Sequence, residues 1–264
     1  MTLTNARVWQ IAREQSAIDS GCRAEDFCGD APCIVQSRAD ARARRYLQLP
    51  FLCDFTSYGG NVVASVAPEL RSLAAEYLAR YDSVHCFETP NLHWLMRRLQ
   101  PYNANVCFMA EYYLPDVDRW RQLPCRYETR VLAQAEFREL YLPQWSNALC
   151  ADRPQLDMLG VGAYDGGRLI GLAGASADCD AMWQIGVDVL PGWRRQGVAS
   201  ALTSRLAGEI LARGKVPFYC RAWSNVASGR NAIRSGFLPA WVQLTVRPEA
   251  VIDRFNRRPA EQEE

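Results

Sequence analysis

A loop in front of a helix carries the residues with the clearest chemical potential. The stretch 192–200 reads GWRRQGVAS, in which Arg194, Arg195 and Gln196 lead into the single glycine Gly197. The first turn of a helix offers unpaired backbone N–H groups and the positive end of the helix dipole. Glycine lets the backbone approach a phosphate closely, and arginine adds charge-assisted hydrogen bonds. The loop predicts an anion site, but a basic surface turn that caps a helix fits the same residues.

Two familiar phosphate motifs do not account for this loop. A Walker-type loop needs G-x-x-x-x-G-K-[ST], and the lysine and hydroxyl residue are missing here. Gly160-Val161-Gly162 begins like a dinucleotide fingerprint, but its third glycine is absent and a turn follows it. We interpret these two glycines as packing positions within a strand.

The elements around the loop follow a β-α-β-β-β-α-β-α-β order from about residue 127 onward. Strands are predicted at 127–132, in two runs within 159–177 joined by an Asp165-Gly166-Gly167 turn, at 182–190, 216–223 and 239–247. One or two helices are expected over 133–145, another over 198–213 with Gly214 as its stop, and a short one after Asn225. The loop therefore joins a central strand to a helix.

The first half of the chain has strand and helix signals of its own. A helix is expected at 1–20, and short β-like runs lie between 33 and 66, with SYGGN at 57–61 as a hairpin turn. Helices follow at 68–80 and from residue 89, then a strand at 104–113 and a linker at 115–126. We predict an N-terminal α/β domain over 1–125, a second domain over 126–250 and a polar tail at 251–264. A diverged duplication of the second domain is one interpretation of the first.

Residues 126–264 resemble the Gcn5-related N-acetyltransferases (GNAT), and three segments carry the resemblance. The run VDVLPGWRRQGVASAL is similar to the family's central strand, proline and [QR]-x-x-G-x-[GA] loop. The strand FYCRAW is followed by Asn225, and residues 225–237 fit N-x-x-S-x-x-x-A-x-x-x-G-F, close to the family's own pattern. The resemblance implies an α/β fold with a mixed sheet, the GNAT acyl-CoA N-acyltransferase fold, preceded by the N-terminal α/β domain, which is a candidate degenerate GNAT-like half.

The resemblance implies that the anion is the pyrophosphate of acetyl-CoA, the co-substrate. The strand at 187–189 would diverge from its neighbour and bind the pantetheine arm like an added strand, with one N–H polarising the thioester carbonyl. A neutral amine would then attack the thioester directly. The residues implied in cofactor binding are Val187, Asp188, Val189, Arg194, Arg195, Gln196, Gly197, Val198, Ala199 and Asn225.

Both usual acid/base positions of the family are replaced in this sequence. The tyrosine that often follows the asparagine by seven residues is Ala232, and the glutamate that often precedes it by five is Cys220. Cys220 and Asp188 are the catalytic candidates that remain, although a buried inert cysteine and an Asp188 paired with a neighbour fit as well. Ser224 and Ser228 suit helix caps. We therefore expect catalysis that is mostly positional.

The acceptor site is expected in the segment after the first strand of the second domain. Trp145, Asn147 and Asp157 are candidates for a polar pocket, although tryptophan is more often part of a core. Glu111, Tyr112 and Tyr113 at the end of a first-half strand could also face the cleft, and a solvated strand end explains them equally well.

Composition limits the remaining choices. The 30 basic and 29 acidic residues nearly cancel, which argues against a nucleic-acid or membrane partner. The N-terminus lacks a secretion signal, and the ten cysteines contain no C-x-x-C, so we expect reduced thiols in the cytoplasm. The spacing of Cys22, Cys28 and Cys33 does not favour zinc, and we expect no metal.

These observations lead to one main functional prediction and two alternatives. The prediction is an acetyl-CoA-dependent N-acetyltransferase, monomeric or homodimeric, that acts on a primary amine of a small or amino-acid-like molecule. The first alternative is a regulatory module that binds acetyl-CoA without transferring the acetyl group. The second is transfer of a longer acyl group, for which the small Ala232 could leave room.

Overall fold

The computed structural model of the chain describes residues 3–257, which divide into two compact units. Of the described residues, the larger unit contains 3–15, 44–46 and 112–240, and the smaller unit contains 16–43, 47–111 and 241–257. Helix α1 (Asn5–Ser20) and strands β4 (Ala104–Pro115) and β10 (Phe237–Pro248) contribute residues to both units. Each unit combines α-helices with strands of both orientations, as the predicted α/β fold class requires.

The larger unit is built on a mixed sheet. Strands β5 (Glu128–Ala133), β6 (Asp157–Asp165), β7 (Arg168–Ser176) and β8 (Met182–Val189) are antiparallel neighbours in that order. Strand β9 (Val216–Ala222) pairs with β8 in the parallel sense. Helix α4 (Val198–Ala212) connects β8 to β9, and α5 (Val226–Arg234) follows β9.

Helix α4 packs on one face of this sheet through the apolar stripe that the sequence predicts. Val198, Leu202, Leu206 and Ile210 are buried at helical spacing, and they form one cluster with Val161, Ile170, Ala173 and other sheet residues. Fully burying a side chain of this size stabilises a fold by roughly 1.5–3 kcal/mol. The helix is therefore firmly attached to the sheet, and the position of its N-terminus is fixed.

The segment 133–145, predicted to be one or two helices, forms two short 3-10 turns instead. The turns cover Gln134–Phe137 and Pro143–Trp145. Leu142 precedes a proline, which disfavours helical backbone, and its φ and ψ of −121° and 152° are extended. Phe137 and Trp145 are buried in a cluster with Leu132, Ala148, Leu149 and Leu172. Packing of these side chains on the sheet therefore replaces the expected helix.

The smaller unit contains five strands, two of which are parts of β4 and β10, and a tight hairpin. Strand β1 (Cys33–Gln36) is parallel to β3 (Val63–Val66), and β3 is antiparallel to β2 (Cys53–Ser57) through the turn predicted at 57–61. β2 also pairs antiparallel with residues 242–246 of β10. Helices α2 (Arg71–Arg80) and α3 (Thr89–Leu99) supply buried leucines and tyrosine to its core.

The ends of the chain differ in part from the sequence expectations. Residues 249–256 form helix α6 (Glu249–Asn256), so the first part of the segment assigned to a polar tail is helical. The rest of that predicted tail, from 258 to 264, lies outside the described residues, as do the first two residues of the predicted N-terminal helix. In the part of the chain that the structure describes, none of the helices is both long enough and apolar enough for a membrane span.

One buried carboxyl group in the smaller unit makes stability depend on pH. Asp54 accepts hydrogen bonds from Gln243 Nε2 at 2.9 Å, from Thr245 Oγ1 at 2.6 Å and from Thr56 Oγ1 at 3.1 Å. Burial outweighs these bonds and raises the pKa of Asp54 from 3.8 to about 6. The folded state therefore favours the protonated carboxyl, and this contribution to stability is lost as the pH rises through 6.

We expect Asp54→Asn to be more stable than the parent protein at about pH 8, by up to about 3 kcal/mol, because no buried charge has to form. The asparagine oxygen can accept from Gln243 and Thr245 while its NH₂ donates to the hydroxyl of Thr56. Denaturant unfolding of both proteins at several pH values measures the difference. It should shrink to nothing near pH 4, and a constant difference across pH would contradict the assignment.

Candidate functional site

The loop between β8 and α4 presents a row of backbone N–H groups. Arg195 and Gly197 both have left-handed backbone conformations, with φ of 60° and 82°. Turns of this kind form concave arrangements of N–H groups that bind anions. Within the described residues, no backbone or side-chain acceptor contacts the N–H groups of residues 195–200; the first helical bond runs from Ala201 to the Gly197 carbonyl. The loop is therefore able to offer these donors to a ligand.

Side-chain hydrogen bonds of Gln196 and Arg194 stabilise the conformation of the loop. Gln196 donates from Nε2 to the Gly192 carbonyl at 3.1 Å and accepts from the Tyr127 hydroxyl at 2.8 Å. Arg194 donates from Nε to the Val189 carbonyl at 2.9 Å, which ties the loop to the end of β8. The Gln196 side chain thus has a structural role, and its backbone N–H is the group available to an anion.

Strands β8 and β9 separate immediately before this loop. Their parallel pairing joins Met182, Trp183 and Gln184 to residues 216–218, and among the described residues it does not continue past Gln184. On its other side β8 stays paired with β7 up to Val189. Residues 185–189 therefore leave one strand edge open toward β9, as the resemblance implied for 187–189.

The side chains of β8 alternate between two different environments. Ile185, Val187 and Val189 point to the helix face and join the apolar cluster around α4. Gln184, Gly186 and Asp188 lie on the opposite face. The gap between β8 and β9 thus has an apolar side under the helices and a polar side beneath the sheet.

The Asp188 carboxylate accepts three hydrogen bonds from residues 147 and 148, in a loop about 40 residues earlier in the chain. Oδ2 accepts from the backbone N–H groups of Asn147 at 2.8 Å and Ala148 at 3.0 Å, and Oδ1 accepts from Asn147 Nδ2 at 2.6 Å. Of the two roles left open by the sequence, the structure places Asp188 in the paired one. Its geometry suits a residue that positions the 141–149 segment.

Two glycines make room for that segment on the sheet. Gly174 and Gly186 are opposite each other on β7 and β8. A Cβ atom on Gly186 would overlap the carbonyl oxygen of Asn147 and lie 2.7 Å from its carbonyl carbon. A Cβ on Gly174 would overlap the oxygen of Ala148 in the same way, 2.9 Å from its carbon. We call this pair the glycine window.

We expect Asp188→Asn to loosen the segment without removing cofactor binding. An asparagine retains one acceptor oxygen, so at least one of the three donors loses its partner, which costs about 1–3 kcal/mol. Urea unfolding should show the lost stability, and proteolysis should become faster within residues 141–149. Turnover reduced roughly a hundredfold with unchanged stability would instead identify Asp188 as a catalytic group.

Cys220 lies on the polar side of the gap. Gln184 donates from Nε2 to its sulfur at 3.1 Å, across the point where β8 and β9 separate. Burial raises the pKa of the Cys220 thiol to about 11, so the thiol stays protonated at neutral pH. A thiol in this state is not a general base, so Cys220 does not replace the glutamate that often occupies this position. The role of Cys220 as a proton donor through its thiol stays a prediction.

Three polar side chains lie on the helix side of the gap: Asn225 and Ser228 near the N-terminus of α5, and Tyr219 on β9. Asn225 caps α5 by accepting from the Ser228 N–H at 3.1 Å, the capping role that the sequence allowed. The Ser228 hydroxyl donates to the hydroxyl of Tyr219 at 2.9 Å. Tyr219 was absent from the sequence candidates because only the fold brings it next to α5, although its place just before Cys220 was a usable signal.

The proposed acceptor residues are mostly buried. Trp145 is 3% exposed in the cluster that covers the sheet, and Asp157 is 1% exposed and accepts from the Cys150 N–H at 2.8 Å. Burial raises the pKa of Asp157 to about 6. Tyr112 and Tyr113 are also buried, which contradicts a solvated strand end, and the Tyr113 hydroxyl accepts from Arg221 Nε at 2.8 Å. Asn147 is hydrogen-bonded to β8 through Asp188.

The described residues contain no group of side chains arranged to bind a metal ion. Across residues 3–257, no three His, Cys, Asp or Glu side chains are grouped so that they could hold a metal ion. The ten cysteines, all within this range, are free thiols.

The fold and the site together define a class of protein. A mixed sheet opens between two parallel strands, and the helix that joins those strands starts with a glycine loop of unbonded N–H groups. The sequence resemblance implied this arrangement for the GNAT fold.

A family model covers the same part of the chain. Residues 117–237 match the model of the acetyltransferase (GNAT) family. A comparison with curated proteins gave no match.

Solved structures with similar folds are distant in sequence. A putative GNAT-family acetyltransferase from Novosphingobium aromaticivorans DSM 12444 is 19% identical with a TM-score of 0.41; the match covers 55% of this chain and 66% of that one. A GNAT-like protein from Streptococcus suis 89/1591 is 20% identical with a TM-score of 0.43, covering 58% and 68%. Aminoglycoside N-acetyltransferase AAC(6')-Iy in complex with CoA is 20% identical with a TM-score of 0.34, covering 45% and 93%. The chain thus spans slightly less than two thirds of the first of these proteins.

Proposed function

We propose that the larger unit is an acetyl-CoA-dependent N-acetyltransferase. In this proposal the N–H groups of residues 196–199 hold the pyrophosphate of acetyl-CoA at the N-terminus of α4. Arg195 adds a charge-assisted contact, and Arg194 adds charge while it stays tied to Val189. Acetyl-CoA supplies the activated acetyl group, and no metal takes part.

The observation that carries this proposal is the gap between β8 and β9. A pantetheine arm can hydrogen-bond the open edge of residues 185–189 as an added strand would, since that edge has no partner beyond Gln184. A backbone N–H on the same edge can polarise a thioester carbonyl. The open edge of β8 ends where the anion loop begins, so one extended ligand can occupy both.

Catalysis in this proposal depends mainly on position. Asp188 accepts three hydrogen bonds from residues 147 and 148, and Cys220 is a protonated thiol, so this proposal assigns neither of them as the general base. Alignment of an amine with the thioester can supply several orders of magnitude in rate by itself. The acceptor we propose is the neutral primary amine of a small or amino-acid-like molecule, in line with the near-zero net charge of the chain.

Calorimetry and a transfer assay test this function. CoA should bind, and incubation with acetyl-CoA and a panel of primary amines should give an acetylated amine detected by mass spectrometry. Colorimetric thiol detection is unsuitable, because ten protein cysteines, including the exposed Cys28, react with the same reagents. Absence of CoA binding would refute the proposal as a whole.

A second function, a module that binds acetyl-CoA without transferring its acetyl group, is favoured by one observation. Both candidate catalytic side chains are hydrogen-bonded to other residues of the protein, Asp188 to the Ala148 N–H and Cys220 to the Gln184 amide. Binding of CoA without transfer to any amine of the panel would support this second function over the first. A pocket for a longer acyl chain is less favoured, because Ala232 is fully buried in the cluster around α4.

A further inference from the structure

Tyr219 places a phenol at the point where β8 and β9 separate. Its neighbour Phe218 is the last residue of β9 paired with β8, so Tyr219 is the first residue past the pairing. The side chain is 5% exposed and belongs to the cluster under α4. Its hydroxyl lies 2.9 Å from Ser228 Oγ on α5.

The hydrogen bonds of this phenol leave its own proton available. Its oxygen accepts from the Ser228 hydroxyl at 2.9 Å, and this bond favours the phenolate. Burial has the larger effect and raises the pKa of Tyr219 above its ordinary value of 10, so the group is a neutral phenol at physiological pH. Within residues 3–257, no acceptor takes the Tyr219 O–H.

The other polar side chains around the gap are less suited to give up a proton there. Cys220 follows Tyr219 on the strand, so it projects to the opposite face, where Gln184 contacts its sulfur. Asp188 also lies on that face and is held by the 147–148 backbone. On the helix face of the gap, Tyr219 is the acidic hydroxyl.

A leaving thiolate requires a proton, because a thiolate expelled from a thioester is a strong nucleophile that can return to the carbonyl carbon. The proton donor must be neutral at the working pH and lie beside the sulfur. The hydrogen bond accepted from Ser228 stabilises the phenolate that remains after the transfer. Tyr219 is neutral at the working pH, and its place just past the end of the β8–β9 pairing is where the open edge for the ligand begins.

We propose that Tyr219 is the general acid of the acetyl transfer, an inference that rests on the proposed function. The amine nitrogen forms a bond to the thioester carbon, and the carbon–sulfur bond breaks with its electron pair on sulfur. The Tyr219 O–H gives its proton to that sulfur and releases CoA as a thiol. The amine loses one proton to solvent, and the phenolate regains one from solvent near Ser228, so the protein returns to its starting state.

Single-turnover kinetics of Tyr219→Phe test this role. The rate of acetyl transfer should fall about 100-fold or more, while the affinity for CoA measured by calorimetry stays within about threefold. The matched control is Tyr77→Phe, which removes the hydroxyl of another buried tyrosine, bonded at 2.6 Å to the Cys86 carbonyl in the smaller unit. It should transfer at the parent rate.

A fluorinated tyrosine at position 219 provides a variant with the same shape and hydrogen bonds. Fluorination lowers the pKa of a phenol, so the alkaline decline of the transfer rate should move to lower pH if Tyr219 is the acid. An unchanged pH profile, or a Tyr219→Phe rate equal to the parent rate, would overturn the inference and leave the proposed function intact. If the parent protein binds CoA but transfers to no amine, the proposed function itself fails.

Discussion

Gly186→Ala is expected to destabilise the larger unit by at least about 3 kcal/mol, because the new methyl group and the Asn147 carbonyl cannot occupy the same space. The 147–148 backbone would have to leave the sheet, and its hydrogen bonds to Asp188 would be lost with it. Gly174→Ala should have a similar effect through the carbonyl of Ala148. In thermal unfolding, 3 kcal/mol corresponds to a decrease in Tm of roughly 6–12 °C.

The matched control for the glycine window is Gly192→Ala. A Cβ atom added to Gly192 would have no other atom within 4 Å, and this glycine does not require a positive φ. The substitution adds the same methyl group without a collision, so Tm should stay within about 2 °C of the parent value. Equal stability of Gly186→Ala and Gly192→Ala would mean that the 141–149 segment does not lie on the sheet as described.

The glycine window marks the limit of what the sequence could predict. Strands β6 to β9 and helices α4 and α5 follow from local alternation, helical spacing and capping residues, and the structure confirms them within a few residues. The contact between Gly186 and Asn147 joins positions 39 residues apart, and no local pattern encodes it.

The candidate site also has one part that the sequence predicts and another part that it does not. The anion loop was predictable, since its glycine, its arginines and the following helix are contiguous in sequence. The hydrogen bonding of Asp188 was not predictable, because its three donors come from a loop about 40 residues earlier in the chain. Tyr219 became a candidate only when the end of the β8–β9 pairing and the position of Ser228 were both known. A short stretch of sequence shows which chemical groups it carries, whereas the hydrogen-bond partners of each group depend on the topology of the fold.

Gly197→Glu is expected to weaken CoA binding at least about 100-fold, which corresponds to about 2.8 kcal/mol. The side chain would project from the N-terminus of α4 among the N–H groups of residues 195–200, where nothing else lies within 4 Å of its Cβ. A carboxylate there competes with a pyrophosphate for the same donors and repels it. The positive φ of 82° adds about 1–2 kcal/mol of backbone strain, which lowers stability in addition.

Two further variants separate charge from strain in this experiment. Gly214→Glu places the same residue at a glycine with φ of 71° and open surroundings just past the other end of α4, so it carries a similar strain but should bind CoA like the parent. Gly197→Lys keeps the position and the backbone strain but reverses the charge of the side chain. It should bind CoA at least about tenfold more tightly than Gly197→Glu at low salt. This difference in affinity should shrink as salt is added. Equal losses for Glu and Lys would show that bulk at position 197 blocks the ligand and that the loop is not an anion site. Unchanged affinity in all three variants would place CoA elsewhere and overturn the assignment of this loop.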